Sequence, residues 1–545
     1  MSAKQTIKEP TMPSRKKSDA NKTKPSTTTS RRRKGEHPIL LGGIDVGSTA
    51  MRMNIAEHIP DSPIKIIEEL TYPVSIGADS FRHGRILPET LFSVCKVFDN
   101  YLRVLDDYGV VHRRAVASSA VREASNREIL VDRVRHGTGL DLEILDAIEE
   151  SRIVYQALLP WLRQHQGSYS LALNLGGGST EIMILRGDDL QSGGSRRLGT
   201  SRLLHSAGKG GSQSTVERLQ TIASNIVRST RDAYQEYSIA HFFLVNRLLY
   251  RAFRGDPAAE RHEHDFVLPV EILRERIRQA STLGPMEVGA KFNMGLAEIE
   301  SLVPAMMILD NFVAVAEVEE VTFTDTETLS GLLVEMAMSV SGENPLMSFR
   351  RQMVRSARAV GEQYSYDRTH ARLVTEFSLV LFDALKDMLD LEDKDKLLLE
   401  LAAVLHDIGM YVNEHHHHHH SAYLLKWSNI VGLNESDRLL TSQIVYFHRR
   451  EMPSKDHPEF MALPRRDRLR VSKLAGLLRL ADVLDRGHHQ NVKDLRVEIA
   501  GEKMILYLQI AGDMGIIMDE LPKKADLLEQ VTGLQVVLRR EMPRV

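Results

Sequence analysis

Two apolar runs that break into glycines and hydroxyls set the pattern of this chain. In the first, Leu171, Ala172 and Leu173 lead to a polar Asn174, then Gly176, Gly177, Gly178, Ser179, Thr180 and Glu181, and the run resumes at Ile182. In the second, which spans residues 40–56, the break holds Asp45, Gly47, Ser48 and Thr49. Each reads as strand, tight turn, strand, and the repeated layout predicts an internal duplication. Further strands are expected over 64–74, from Arg114, and over 141–147. Helices are expected over 88–108, where Leu91, Val94, Val97, Phe98, Leu102 and Leu105 keep helical spacing, over 127–136 behind Asn126, and from Glu149 to Arg163. Amphipathic helices follow over 215–233 and 269–283, an apolar helix over 304–316, and a strand over 318–323. Residues 345–490 turn mostly helical. Residues 491–545 return to strands over 495–499, 503–510 and 534–540, with a helix over 526–532 ended by Gly533.

Composition narrows the class. A length of 545 residues predicts roughly three or four domains. The 42% apolar and 26% charged content is that of an ordinary globular chain, and a net charge of −3 gives no bias toward nucleic acid. Cys95 is the single cysteine, so no intramolecular disulfide can form, which suits a reducing cytoplasm. No run approaches the ~18 apolar residues of a membrane span, and the N-terminus lacks a secretory core. We expect a cytoplasmic protein with no membrane partner. Residues 1–37, rich in Lys, Ser, Thr and Pro and ending in Arg31, Arg32, Arg33 and Lys34, are expected to be a disordered basic tail.

The candidate chemistry falls in two places. Adjacent glycines permit positive φ and close approach of an anion to backbone amides. Ser179 and Thr180 add hydroxyls, and Glu181 adds a carboxylate for a metal ion or a water. A plain glycine hairpin is the alternative. Arg122, at a strand end, could clamp a phosphate or make a surface ion pair. Glu149 and Glu150 open a helix, where they either complement its dipole or supply a general base. Farther on, His406 and Asp407 are adjacent on a helix, with His370 upstream, the run His415–His420 and His448 after it, and Asp482 beyond. Imidazoles and carboxylates so placed can bind divalent metal; a helix bundle with satisfied buried histidines is the alternative.

These stretches resemble the exopolyphosphatase / guanosine pentaphosphate phosphohydrolase (Ppx/GppA) family. Five ordered motifs carry the resemblance: Asp45, Gly47 and Ser48; Ala117 to Asn126 with Arg122; Glu149 to Arg152; Gly176 to Glu181; and Leu198, Gly199 and Arg202. The resemblance implies an α/β actin-like fold (duplicated, ribonuclease-H-like), with lobe I over 38–165 and lobe II over 166–342. It implies substrate binding by Asp45, Gly47, Ser48 and Gly176 to Thr180, catalysis by Glu150 as general base with Arg122, and Mg2+ or Mn2+ held by Glu181. The substrate would be inorganic polyphosphate or pppGpp, and the protein a homodimer. The chain departs from the family where Asn174 replaces an Asp, where Phe242 to Tyr250 replaces a third glycine loop, and where Asp325 to Gly331 lacks an Arg-Glu pair. Residues 345–490 resemble the all-α HD phosphohydrolase superfamily, which implies a metal site of His370, His406, Asp407 and Asp482, with His420 and His448 as further candidates for a divalent transition metal. A small α+β region, 491–545, completes the chain. Three functions remain in view: hydrolysis in the actin-like cleft, hydrolysis at the HD-type site with the first half as a ligand sensor, and binding of polyphosphate or an alarmone with weak or no turnover.

Overall fold

The computed structural model describes residues 38–60, 62–206, 212–231, 237–428, 430–449, 451–511 and 514–541. The expected basic tail and the last two residues of the helix expected over 215–233 lie outside them.

Two sheets build the first half. β1 (Ile39–Val46), β2 (Ala50–His58), β3 (Lys65–Pro73), β4 (His112–Ala117) and β5 (Leu142–Ile144) lie in the order β3-β2-β1-β4-β5. The second sheet contains β6 (Tyr169–Leu175), β7 (Thr180–Arg186), β8 (Asp189–Arg196), β9 (Ile239–Val245), β10 (Glu260–Arg261), β11 (Asp265–Pro269) and β12 (Glu320–Thr324). Its order is β10-β11-β12-β9-β6-β7-β8. Strands β8-β7-β6-β9-β12 repeat β3-β2-β1-β4-β5, with antiparallel hairpins on one side and parallel strands on the other. The register repeats as well: Asp45 faces Arg52, and Asn174 faces Glu181. The duplication expected from the two glycine breaks is therefore present.

Central strands are apolar throughout because both faces are covered. This explains Phe242, Phe243, Leu244 and Val245, which are all buried in β9. Of the run Phe242 to Tyr250 that replaces a third glycine loop, Phe242, Phe243 and Leu244 stay in the strand core, and Val245, Asn246, Arg247 and Leu248 reach the cleft. Strand β8, DLQSGGSR, lacks an apolar period and was not foreseen; it is an edge strand.

Helix α1 (Ala147–Leu162) follows β5, α2 (Arg247–Phe253) follows β9, α3 (Leu296–Ala316) precedes β12, and α4 (Thr328–Val340) follows it. Helices α1 and α4 cross so closely that a Cβ on Gly331 would sit 2.0 Å from the Ile153 carbonyl oxygen. Buried Glu335 of α4 accepts from Arg152 of α1, and from Arg114 of β4 at 2.9 Å. Helix α3 starts well before Pro304 because Glu298 reaches back to the Gly295 amide at 3.1 Å. Its span Glu298–Ala316 has the length and composition to cross a membrane, yet Leu302, Ala305, Ile308 and Leu309 lie in the core around the second sheet.

The second half packs α5 (Arg368–Leu385), α6 (Asp393–Leu405), α7 (His417–Trp427), α8 (Glu435–Tyr446) and α9 (Arg465–Leu484). A three-stranded sheet of β13 (Val492–Ala500), β14 (Lys503–Ile510) and β15 (Gln535–Arg540) follows, with α10 (Gly515–Thr532) between its last two strands. Helix α10 starts earlier than the expected residue 526 and contains Pro522. It lies on α9, where a Cβ on Gly476 would be 3.1 Å from Leu528 Cα. One apolar core runs from Leu158 and Phe243 through Leu401 and Leu477 to Leu528.

Candidate active site

The two glycine turns close alike. The Gly47 amide donates to the Ala50 carbonyl and the Gly176 amide to the Ser179 carbonyl, both at 3.0 Å. Their glycines answer a different need from the one expected. None of Gly47, Gly176, Gly177 and Gly178 has φ in the left-handed region. They provide room: a Cβ on Gly177 would lie 2.7 Å from Ser48 Cβ, and one on Gly178 would lie 2.5 Å from Phe81 Cζ. The two hairpins thus meet across the cleft. Gly199 presses on the second from behind, where its Cβ would be 2.4 Å from the Gly177 carbonyl carbon.

A cavity of about 140 Å3 lies at this meeting point. Asp45, Gly47, Ser48, Glu150, Gly176 and Gly177 line it, as expected, together with Asn174, Arg52, Thr200, Asn246, Arg247 and Glu327. Gly178, Ser179, Thr180, Glu181 and Arg122 stand behind this wall. Ser179 donates to Glu181 Oε1 at 2.6 Å, Thr180 donates to the Leu198 carbonyl, and Arg122 donates to the Leu145 carbonyl while lying 3.7 Å from Glu150 Oε2.

The two adjacent glutamates separate cleanly. Asp146 caps α1 by accepting from the amides of Ile148 and Glu149, each at 2.8 Å, and Glu149 returns the bond to the Asp146 amide at 3.0 Å. Glu149 is thereby half of a capping box. Glu150, the next residue, is buried at the cavity, and its Oε2 has no hydrogen-bond partner. Burial, then the neighbouring charge of Glu181, push its carboxyl well above the ordinary range, against Arg122. Burial also raises Glu181, although Ser179 and Ser195 donate to it, and raises Asp45 to about 6 against the pull of Arg52. Asn174 donates to Glu181 Oε2 at 3.1 Å. Asp45, Glu150 and Glu181 thus place three buried carboxylates around the cleft, the chemistry of a hard-cation site, although as a trio they are not among the metal-competent clusters of the described residues.

Sequence reasoning missed Arg52, Arg247 and Glu327. Arg52 lies 3.6 Å from Asp45 and 3.8 Å from Glu327; Arg247 lies 3.2 Å from Glu327 and also pairs with Glu69. The signal for Arg52 was its place opposite Asp45 in the hairpin. Arg247 had only its position just after an apolar run.

A second cluster lies in the helical half. His370 Nε2 is 3.2 Å from His406 Nε2 and 3.6 Å from both Asp407 Oδ2 and Asp482 Oδ1. On the other side of Asp407, Oδ1 is 3.2 Å from His417 Nε2 and 3.7 Å from His448 Nε2. Each Nδ1 is engaged elsewhere: His370 with Asp485 at 2.9 Å, and His406, His417 and His448 with the carbonyls of Ala403, Glu414 and Val445. Four Nε2 atoms therefore face one carboxylate pair, and the outer contacts fix the rings as metal ligands require. His417 occupies the place expected for His420, which belongs to none of the metal-competent clusters among the described residues. Buried Lys524 of α10 donates to Asp482 Oδ2 at 2.7 Å, a contact that the sequence did not suggest. Burial works against every charge here, but the bonds from Asp482 and Asp485 hold His370 up at about 10, and His406 and His417 hold Asp407 well below the usual range.

Comparison with known proteins adds the decisive observation. The Ppx/GppA phosphatase family matches residues 54–340, and Ppx/GppA phosphatase domain III matches residues 352–529. The chain belongs to the Ppx/GppA phosphatase family. Membership in this family makes it a phosphohydrolase. The guanosine-5'-triphosphate,3'-diphosphate pyrophosphatases of Photobacterium profundum and Vibrio vulnificus are each 22% identical to it. They cover 87% and 86% of this chain and 92% and 91% of their own. The crystal structure of an exopolyphosphatase from Cytophaga hutchinsonii aligns with a TM-score of 0.51 at 18% identity, over 56% of this chain and 99% of its own. The first half of this Ppx/GppA chain thus has the actin-like fold of the family.

Proposed function

We propose that the cleft between the two hairpins releases the terminal phosphate of a guanosine 5'-triphosphate 3'-diphosphate-type nucleotide, with Glu150 as general base. The observation that carries this is a buried carboxylate at the closure of two matched glycine turns, Glu150, whose Oε2 accepts no hydrogen bond. Ser48, whose buried hydroxyl has no hydrogen-bond partner, and the backbone of the turns supply donors for the phosphate oxygens, with the Arg52 and Arg247 guanidinium groups beside them where the family has a third glycine loop. Glu150 takes a proton from water as the water oxygen bonds to the terminal phosphorus. The anhydride bond breaks and its electrons leave on the nucleoside polyphosphate. Asp45, which lines the cavity, and Glu181 behind it would hold a divalent cation, which would offset the charge of the phosphate oxygens.

A larger cavity, about 1010 Å3, supports a nucleotide over a long polyphosphate. It shares Arg247 and Glu327 with the phosphate cavity and continues along Pro63, Ile64, Ile66, Trp161 and Tyr250. Arg247, Arg251 and Arg254 face Glu69, Asp325, Glu327 and Glu343 there, so its walls carry no excess positive charge for a polyanion. Asn54, His58 and Tyr250, all in its wall, each carry a buried polar atom without a partner. A nucleoside suits such a site.

The convergence of four Nε2 atoms on Asp407 and Asp482 favours a second reading: hydrolysis at an HD-type metal centre, with the actin-like half binding the phosphate ligand. The test measures phosphate release from pppGpp and from long-chain polyphosphate with Mg2+ or Mn2+, for the parent, Glu150→Gln and Asp407→Ala. Loss only in Glu150→Gln supports the cleft, and loss only in Asp407→Ala moves the chemistry to the helical half. Turnover of polyphosphate alone overturns the nucleotide preference.

A further inference from the structure

The inner centre uses one residue of the six-histidine run, His417. We infer that His416, His418 and His419, with Glu451, form a separate site for a late first-row divalent cation such as Zn2+, Ni2+ or Co2+. On a regular helix, residues i and i+2 point away from each other, so His416 and His418 would share no ligand. Here His416 is the residue before α7 and has φ +59°, a left-handed conformation uncommon for a side-chain-bearing residue. This irregular start lets the three rings gather. Centroids are 5.5 Å apart for His416 and His419, 6.1 Å for His416 and His418, and 4.3 Å for His418 and His419. One nitrogen from each ring lies within 4.8 Å of the others.

His418 is 4% exposed, and neither of its ring nitrogens has a hydrogen-bond partner. A buried imidazole left so is destabilising, and a cation would supply the missing partner. Glu451 stands beside the cluster, its Oε1 at 2.8 Å from His419 Nε2 and 3.6 Å from His418 Nε2. Its other oxygen is held by the Tyr446 hydroxyl at 3.0 Å and lies 3.1 Å from His457 Nε2, which fixes the carboxylate in place. Three imidazoles with one carboxylate select zinc-like ions over Mg2+. The site adjoins the inner centre, with the rings of His417 and His418 at 6.0 Å. A cation bound there fixes the first turn of α7, which also carries His417. The inference does not depend on the inner centre being catalytic.

The test strips the full-length protein with a chelator, dialyses it against Zn2+, and counts bound zinc by mass spectrometry, with circular dichroism to check folding. The His416→Ala/His419→Ala variant is expected to hold one zinc fewer than the parent. Asp407→Ala is expected to keep that zinc, and so is His415→Ala/His420→Ala, which removes histidines of the run outside the cluster. Equal zinc in the parent and in His416→Ala/His419→Ala overturns the site. Equal loss in the two double variants also overturns it, since that is chelation by a histidine run without a built geometry. Cobalt absorbance gives a second readout: a tetrahedral Co2+ band present in Asp407→Ala and absent from His416→Ala/His419→Ala is expected, and its persistence in the latter refutes the assignment.

Discussion

Glu149 and Glu150 are neighbours with separate work, and the difference is one of direction. Glu149 turns back to the Asp146 amide, whereas Glu150 faces the cavity with one oxygen that accepts no hydrogen bond. Replacing Glu150 by Gln keeps shape and removes the proposed base, so kcat is expected to fall by about 100- to 10,000-fold with little change in KM. The base works only when ionised, and burial with Glu181 raises its pKa. The rate of the parent should therefore climb with pH through a limb above the usual carboxylate range, and a pH profile of Glu150→Gln should lack that limb. Asn174 donates to Glu181 at 3.1 Å. Asn174→Asp would set two carboxylates side by side, and the concentration of Mg2+ needed for half-maximal activity should fall. A titration showing no change, or weaker Mg2+ dependence, would remove Glu181 from the cation site.

At the scale of elements, the glycines of the cleft are packing devices. Gly199→Ala forces a methyl against the Gly177 and Gly178 backbone at 2.4 Å, with no flexible side chain to yield. Roughly 1–3 kcal/mol of overpacking strain is expected, seen as a lower unfolding midpoint together with lost phosphate release. The pair α1 and α4 depends on Glu335, buried between Arg114 and Arg152. Its replacement by Ala leaves the Arg152 guanidinium without its carboxylate, while Arg114 keeps Glu143, and a loss of roughly 3 kcal/mol is expected in the unfolding free energy. The strand-turn-strand hairpins were legible because their apolar runs and breaks are local. Arg52 takes one step more, because it meets Asp45 only when the hairpin is paired residue by residue. Six consecutive histidines hide which of them turns inward; the left-handed residue His416 decides that, and no spacing rule reports it. Helix α10 was half seen because Pro522 and Gly515 read as interruptions, while contact with α9 holds the helix through them.

At the scale of the molecule, two titratable clusters occupy one continuous body. The core shared by Leu158, Leu401 and Leu528 leaves no apolar boundary between the second sheet, the helices and the last strands. A metal bound by the native centre and not by the unfolded chain adds stability, about 2.7 kcal/mol at a hundredfold excess over its dissociation constant. Chelation should thus lower the thermal midpoint of the parent and change Asp407→Ala less. Equal drops in both proteins would mean that the inner histidines do not hold the stabilising ion.

The start of α1 is completed from far along the chain. Asn434, itself the cap of α8, donates to Glu149 at 2.9 Å, and the Glu435 amide donates to Asp146 at 3.2 Å. Two helices that begin almost three hundred positions apart therefore hold each other's ends. A chain cut between its halves would lose this mutual closure, and the turn that aims Glu150 would open to water. The cap beside Glu150 is thus completed by the very segment that a fragment of the first half would discard.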